Sequence, residues 1–237
     1  MEENDILDML ESDDKPYAEV IEKKEEPQSG GKKINLWEET DIPKVKIDPA
    51  NIHRVDKSYA VLFSNGNNEI PESVQEKIRE LVKALSTKGY IFRYSGDNTP
   101  FLMKIATNES TIMDMYVPWK KFNKELPNVM PKVFKMSEKA YGIAAHYHRG
   151  FPKLPNGVRA ILARDVHILL GEDCKRAVSF MITYTPDGCE SKDKIDYKTT
   201  GNVSFAITIA DEANIPVFNL KNDDAVSRLI EYIKTIS

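Results

Sequence analysis

The sequence predicts an α/β fold: a three-layer Rossmann-like sandwich with a mostly parallel sheet, preceded by a disordered N-terminal arm. Three observations predict it. Tyr59-Ala60-Val61-Leu62-Phe63 is a continuous apolar run closed by the turn-rich Ser64-Asn65-Gly66-Asn67-Asn68, as expected of a strand covered on both faces. Val178-Ser179-Phe180-Met181-Ile182-Thr183 and Ile215-Pro216-Val217-Phe218-Asn219-Leu220 are two further strand-like runs with a helical stretch between them. Stripes of helical period alternate with such runs along the chain, and right-handed crossovers then place the strands side by side in parallel.

Taken in order, the first helix starts at Pro71 and carries Val74, Ile78, Leu81, Val82 and Leu85 on one stripe, ending at Gly89. Tyr90-Ile91-Phe92-Arg93-Tyr94 is the second strand, followed by the loop Ser95-Gly96-Asp97-Asn98. Thr99-Pro100 reads as an N-cap and an N1 proline opening a short helix through Met103 and Ala106. A third strand falls between Thr111 and Val117 and runs into the aromatic and basic Pro118-Trp119-Lys120-Lys121-Phe122-Asn123. Ser137 caps a helix through Tyr141, Ala144 and Ala145, and Asn156 caps another through Val158, Ile161, Leu162, Val166 and Leu169, stopped by Gly171. After the fourth strand, Thr200-Gly201-Asn202 heads a helix; after the fifth, a last helix bears Val226, Leu229, Ile230 and Ile233.

Charge divides the chain. Residues 1–29 hold 11 acidic side chains against Lys15, Lys23 and Lys24, a net of −8, while the whole chain is −4, which leaves +4 for residues 30–237. A mildly basic body tolerates polyanions, and an acidic arm can compete with them. The expected division is therefore an acidic, largely disordered arm over 1–57 and a Rossmann-like domain over 58–237. Two short apolar patches, Ile6-Leu7-Asp8-Met9-Leu10 and Ile34-Asn35-Leu36-Trp37, interrupt the arm. They are read either as part of a solvated tail or strap on the chain's own domain, or as docking peptides for a protein partner. Cys174 and Cys189 make no disulfide framework and have no metal spacing, so a reducing cytoplasm is the expected compartment. No apolar run approaches the roughly 20 residues of a membrane span, and no membrane partner is expected.

Several landmarks together resemble the DprA-like (DNA recombination-mediator protein A-like) proteins of the SLOG superfamily, in particular the compact kind encoded by bacteriophages. They are Ile70-Pro71-Glu72, Gly89-Tyr90-Ile91 leading to Ser95-Gly96, Val117-Pro118-Trp119 with Phe122-Asn123, and Ala163-Arg164 before Leu170-Gly171. Thr185-Pro186-Asp187-Gly188, Thr200-Gly201 before Ile209-Ala210, and the run from Ile215 to Leu220 complete the series, which covers 58–220. The resemblance implies non-enzymatic binding of a nucleotide or single-stranded DNA in a bacterial host cytoplasm, as in proteins that help load recombinase, with a crevice at the carboxyl ends of the strands. It implies no cofactor and leaves self-association open; no metal is expected, because no Cys or carboxylate stands near His146 and His148 at zinc spacing.

The chain departs from that family's loops: Asp97 and Asn98 stand where a second glycine and an alanine are usual, and Asn202 where another glycine is. The related LOG branch hydrolyses the N-glycosidic bond of cytokinin nucleotides with a Pro-Gly-Gly-x-Gly-Thr-x-x-Glu motif. Set against 200–208, only Gly201 agrees, and Thr208 occupies the glutamate position. Without that carboxylate an oxocarbenium-like transition state lacks its electrostatic partner. Enzymatic nucleotide hydrolysis is thus the weaker alternative to binding, and a nucleotide sensor or sequestering protein with a degenerate pocket is the other.

The candidate ligand-binding residues are Ser64, Asn65 and Gly66 at the first strand's exit, Ser95, Gly96 and Asp97 at the second's, Arg164, and Thr200, Gly201 and Asn202. Backbone N–H groups at a helix start favour an anion, although each turn is equally readable as an ordinary strand-to-helix connection. Arg164 is placed either on a phosphate or in an ion pair with Asp165 or Asp173. Trp119, Lys120 and Lys121 are candidates for nucleic acid, stacking a base and neutralising phosphates; the competing reading is an aromatic lid on the sheet edge. His146 and His148, two apart, do not share a helix face.

Overall fold

The computed structural model describes residues 42–55, 57–64, 70–97, 99–107, 111–122 and 136–236. Its elements are β1 (His53–Arg54), β2 (Ser58–Val61), α1 (Glu72–Thr87), β3 (Ile91–Tyr94), α2 (Pro100–Ala106), β4 (Met113–Met115), α3 (Glu138–Tyr147) and α4 (Asn156–Leu170). They continue with β5 (Arg176–Ala177), β6 (Phe180–Thr183), α5 (Tyr197–Thr200), α6 (Ser204–Glu212), β7 (Val217–Asn219) and α7 (Ala225–Ile236).

Five strands form the main sheet in the order β4-β3-β2-β6-β7. Every neighbouring pair is parallel. The fold class read from the sequence is the one observed. The strands are short, and β2, β6 and β7 are buried along their whole length because helices cover both faces. Along β2, Tyr59 and Val61 join a core with α1, α2 and α7, while Ala60 joins Leu62 in a second core with α3, α4 and α6. On the first of these faces the register sets Tyr59 opposite both Phe92 and Phe180. The rings stack at 5.5 and 5.6 Å, and Phe180 meets Phe218 edge-on at 6.1 Å. Such pairs add about 0.5–1.5 kcal/mol each beyond the area they bury, so this ladder ties four of the five strands together.

Residues 42–55, assigned to the arm in the sequence reading, lie against the domain. Ile47 is buried, and its N–H donates to Tyr147 Oη at 3.2 Å. Val45 N–H donates to Gly142 O at 2.9 Å. β1 then pairs in parallel with β5. Neither two-residue strand has a hydrophobic period to announce it. Residues 1–41, with both apolar patches, lie outside the described residues.

Three helix starts differ in detail from expectation. Thr99 makes no side-chain cap at α2; the Asp97 carboxylate two residues earlier accepts from Thr99 N–H at 3.0 Å instead. Asn156 is the first residue of α4, with Pro155 as an N-cap that has no side chain to donate or accept. Thr200 ends α5, and a 3-10 turn over Gly201–Val203 leads into α6 at Ser204. Ser137 does cap α3, its Oγ accepting from Ala140 N–H at 3.1 Å.

Candidate functional site

The strand order reverses direction between β2 and β6, since the chain leaves β2 toward β3 on one side and later returns to β6 on the other. In open parallel sheets this is where the connecting helices diverge and a crevice opens at the carboxyl ends. A shallow cleft, open to solvent, stands there. It is lined by Phe63, Ser64, Ile70, Tyr184, Thr185, Pro186 and Thr200. The two exits are locked together: Leu62 N–H donates to Ile182 O at 3.1 Å, and Thr183 Oγ1 donates to Leu62 O at 2.7 Å.

The Thr200 turn closes the cleft from the α6 side. Asn202 N–H donates to Ser64 Oγ at 3.1 Å. Gly201 has φ +66°, and a Cβ there would fall 2.7 Å from the same oxygen. Glycine at 201 is thus required twice, for its backbone conformation and for the approach of Ser64.

Behind the cleft lies a polar network that the sequence reading did not anticipate. Asn219, fully buried at the end of β7, donates from Nδ2 to Thr185 Oγ1 (2.6 Å) and Cys189 O (3.0 Å). Its Oδ1 accepts from Thr185 N–H (3.3 Å) and Lys221 N–H (3.1 Å). All four hydrogen-bonding positions of the amide are filled. Asp187 forms the outer part of the network. Its Oδ1 accepts from Thr185 Oγ1 (2.5 Å) and Cys189 N–H (3.2 Å). Its Oδ2 accepts from Thr200 Oγ1 (2.5 Å) and Thr199 Oγ1 (3.0 Å). Partial burial pushes the Asp187 pKa up, but donation from Thr185, Thr200, Cys189 and Thr199 outweighs it and holds the carboxyl below its ordinary value.

The exit of β3 is closed rather than open. Ser95 is buried, and its hydroxyl donates to Asp97 Oδ2 at 2.5 Å; Tyr94 Oη donates to Asp97 O. Gly96 has φ +65°, and a Cβ on it would sit 2.5 Å from Val117 Cγ1. The Gly96 backbone is therefore packed against a side chain. Arg164, 3% exposed, donates from Nη1 to Ser95 O at 3.1 Å, and from Nε and Nη2 to Asp165 Oδ1 at 3.0 and 2.8 Å. The ion pair weighed for Arg164 forms with Asp165 and is inside the protein; Asp173 pairs with Arg176 at 3.2 Å. Burial raises the Asp165 pKa, with Arg164 opposing it.

Arg164 also lies over the Phe122 ring, 5.6 Å from its centre. Phe122 meets Trp119 edge-on at 5.0 Å, and both pack on the core beneath. Lys120 and Lys121 between them are exposed. The aromatic pair thus sits as a lid at the exit of β4, and the two lysines face solvent.

All the candidate residues among those described occupy the carboxyl edge of one parallel sheet. Ser64 and the turn of Thr200, Gly201 and Asn202 come together at the cleft. Ser95, Gly96, Asp97 and Arg164 form a separate cluster toward β3, and Trp119, Lys120 and Lys121 a third element beyond it. Asn65 and Gly66 lie outside the described residues. The reading missed Phe63, Ile70, Tyr184, Thr185 and Pro186 as lining residues, and Asp187 and Asn219 as the network behind them. A polar Asn219 inside an apolar strand, and an aspartate in the turn of 185–188, were the available signs.

Comparisons of the chain with protein-family models, curated proteins and solved structures give no match. Among the described residues, no helix is long and apolar enough to cross a membrane.

Proposed function

We propose that the protein binds a nucleotide, free or as one unit of single-stranded DNA, without chemical turnover, and that the switch-point cleft receives it. One observation carries the reading. The seven residues lining the cleft offer aromatic and apolar surface from Phe63, Ile70, Tyr184 and Pro186, three hydroxyls from Ser64, Thr185 and Thr200, and no charged side chain. Flat apolar surface with a few fixed polar groups suits a base and its sugar. The nearest carboxylate in the network, Asp187, has both oxygens engaged, which leaves it poorly placed to activate water or to face a glycosyl cation. The DprA-like resemblance of the sequence leads in the same direction.

For a strand, Lys120 and Lys121 supply the second contact. They stand at the exit of β4, two strands from β2, which is about 10 Å along the edge at the usual strand spacing. A base held in the cleft would let neighbouring phosphates pass those ammonium groups. Equilibrium binding of nucleosides, nucleotides and a single-stranded oligonucleotide across a salt series tests the reading. Saturable binding of any of them, without release of free base, supports it; no binding of all three, or base release, rejects it. A strand that binds should lose affinity with salt, and a free nucleoside should not.

A further inference from the structure

We infer that Asp187 decides which end of a ligand the cleft accepts: its carboxylate holds the hydroxyls of Thr185, Thr199 and Thr200, so the cleft takes the uncharged base and sugar and keeps a phosphate away from the Thr200 turn. This rests on the nucleotide reading above and names the part of the ligand that the same cleft recognises.

A turn rich in threonine and glycine before a helix is the kind of surface on which phosphate oxygens are usually held, by hydroxyl and backbone donors together. Here the hydroxyl donors are occupied. Each threonine hydroxyl has one hydrogen to give, and those of Thr185, Thr199 and Thr200 go to Asp187 at 2.5, 3.0 and 2.5 Å. With their hydrogens committed, two of the oxygens act as acceptors: Thr185 Oγ1 from Asn219 Nδ2 at 2.6 Å, and Thr200 Oγ1 from Asp196 N–H at 3.2 Å. An arriving phosphate would find acceptors and a carboxylate where it needs donors, and like charge at short range repels it. Four donors to Asp187 keep it ionised at neutral pH, so the exclusion does not lapse there.

What remains suits a neutral group. Ser64 Oγ accepts from Asn202 N–H and retains a hydrogen to donate, and Phe63, Ile70, Tyr184 and Pro186 supply the walls. The phosphate of a bound nucleotide is then directed out of the cleft.

Two variants test this in the full chain. Asp187→Ser removes the charge but keeps an oxygen for Cys189 N–H; Asp187→Asn is close to isosteric. Calorimetric titrations would use the nucleosides, their 5′-monophosphates and inorganic phosphate, with circular dichroism to show which variants are folded. The wild-type chain is expected to bind nucleosides at least as tightly as monophosphates and to take up no phosphate. A folded variant should gain about tenfold for monophosphates and bind inorganic phosphate saturably. A wild-type preference of about tenfold for monophosphates, or folded variants with no gain in phosphate binding, would overturn the role of Asp187. A wild-type chain that binds no nucleoside removes the nucleotide reading alone, because phosphate uptake by the variants still decides whether Asp187 guards the turn.

Discussion

Ser64 Oγ accepts the backbone N–H of Asn202 at 3.1 Å, joining the exit of β2 to the entry of α6 across 138 residues of sequence. This bond sets one wall of the switch-point cleft. The wall exists only because Gly201, beside Asn202, has no side chain to occupy the space that Ser64 fills.

Gly201→Ala should therefore both strain the backbone and press on Ser64. The φ and ψ of Gly201, +66° and −155°, lie in a region that is open essentially to glycine alone. A loss of about 1–3 kcal/mol is expected from the backbone term, measured by urea denaturation. Weakened ligand binding should accompany it, because Ser64 is displaced.

Arg164→Ala should act on stability. Removing the guanidinium leaves Asp165 partly buried without its partner and Ser95 O without its donor, a change that typically costs about 3–5 kcal/mol. Replacing Lys120 and Lys121 with alanine should shift stability by less than about 0.5 kcal/mol each. For an oligonucleotide, the lysine changes should reduce the slope of log affinity against log salt by about one for each phosphate that is no longer neutralised.

The sheet was legible because its central strands are largely apolar runs. Tyr59, Ala60, Val61 and Leu62 are all buried, alternately on the two faces, and only a strand sandwiched between helix layers has that pattern. The carboxyl-edge turns were legible for the same reason, as polar punctuation after each run. What those turns do was not. Ser95, Gly96 and Arg164 look like ligand-binding residues in sequence, yet their partners are Asp97, Val117, Ser95 O and Asp165. Two of those partners are distant in the chain, so no local pattern marks them. Residues 42–55 carry no comparable signal, because Ile47 is their one buried hydrophobic residue and the exposed Lys46 and Asp48 flank it.

Acid should weaken the fold through His167 before most carboxylates respond. His167 Nε2 accepts Ser137 N–H at 3.1 Å, and its Nδ1 pairs with Gly171 O at 2.9 Å, so the neutral ring joins the start of α3 to the end of α4. Burial depresses its pKa below 6.5, only partly opposed by the Gly171 bond. The unfolded chain then binds the proton more readily. The contribution of this neutral ring is complete above pH 6.5 and declines as pH falls from there through the folded value. His148, lowered by burial as well, adds to the same window. Denaturation midpoints measured from pH 7.5 down to 5 should fall, and His167→Gln, which can keep a donor and an acceptor, should flatten part of the decline.

The two thiols should be silent until the chain unfolds. Cys174 is buried and its pKa is pushed up to about 11, chiefly by desolvation; Cys189 is buried and raised for the same first cause. Thiolate is the reactive form, so a disulfide reagent at pH 8 should label neither in the native protein and both in denaturant.

The most direct test of the binding cleft compares Tyr184→Ala with the double change Lys120→Ala and Lys121→Ala in calorimetric titration with nucleosides. Tyr184 lines the cleft and the lysines do not. Loss of about tenfold or more in affinity for Tyr184→Ala, with the lysine variant unchanged, is the predicted result. Unchanged nucleoside affinity in a folded Tyr184→Ala chain, or loss confined to the lysine variant, would contradict a ligand seated between β2 and β6.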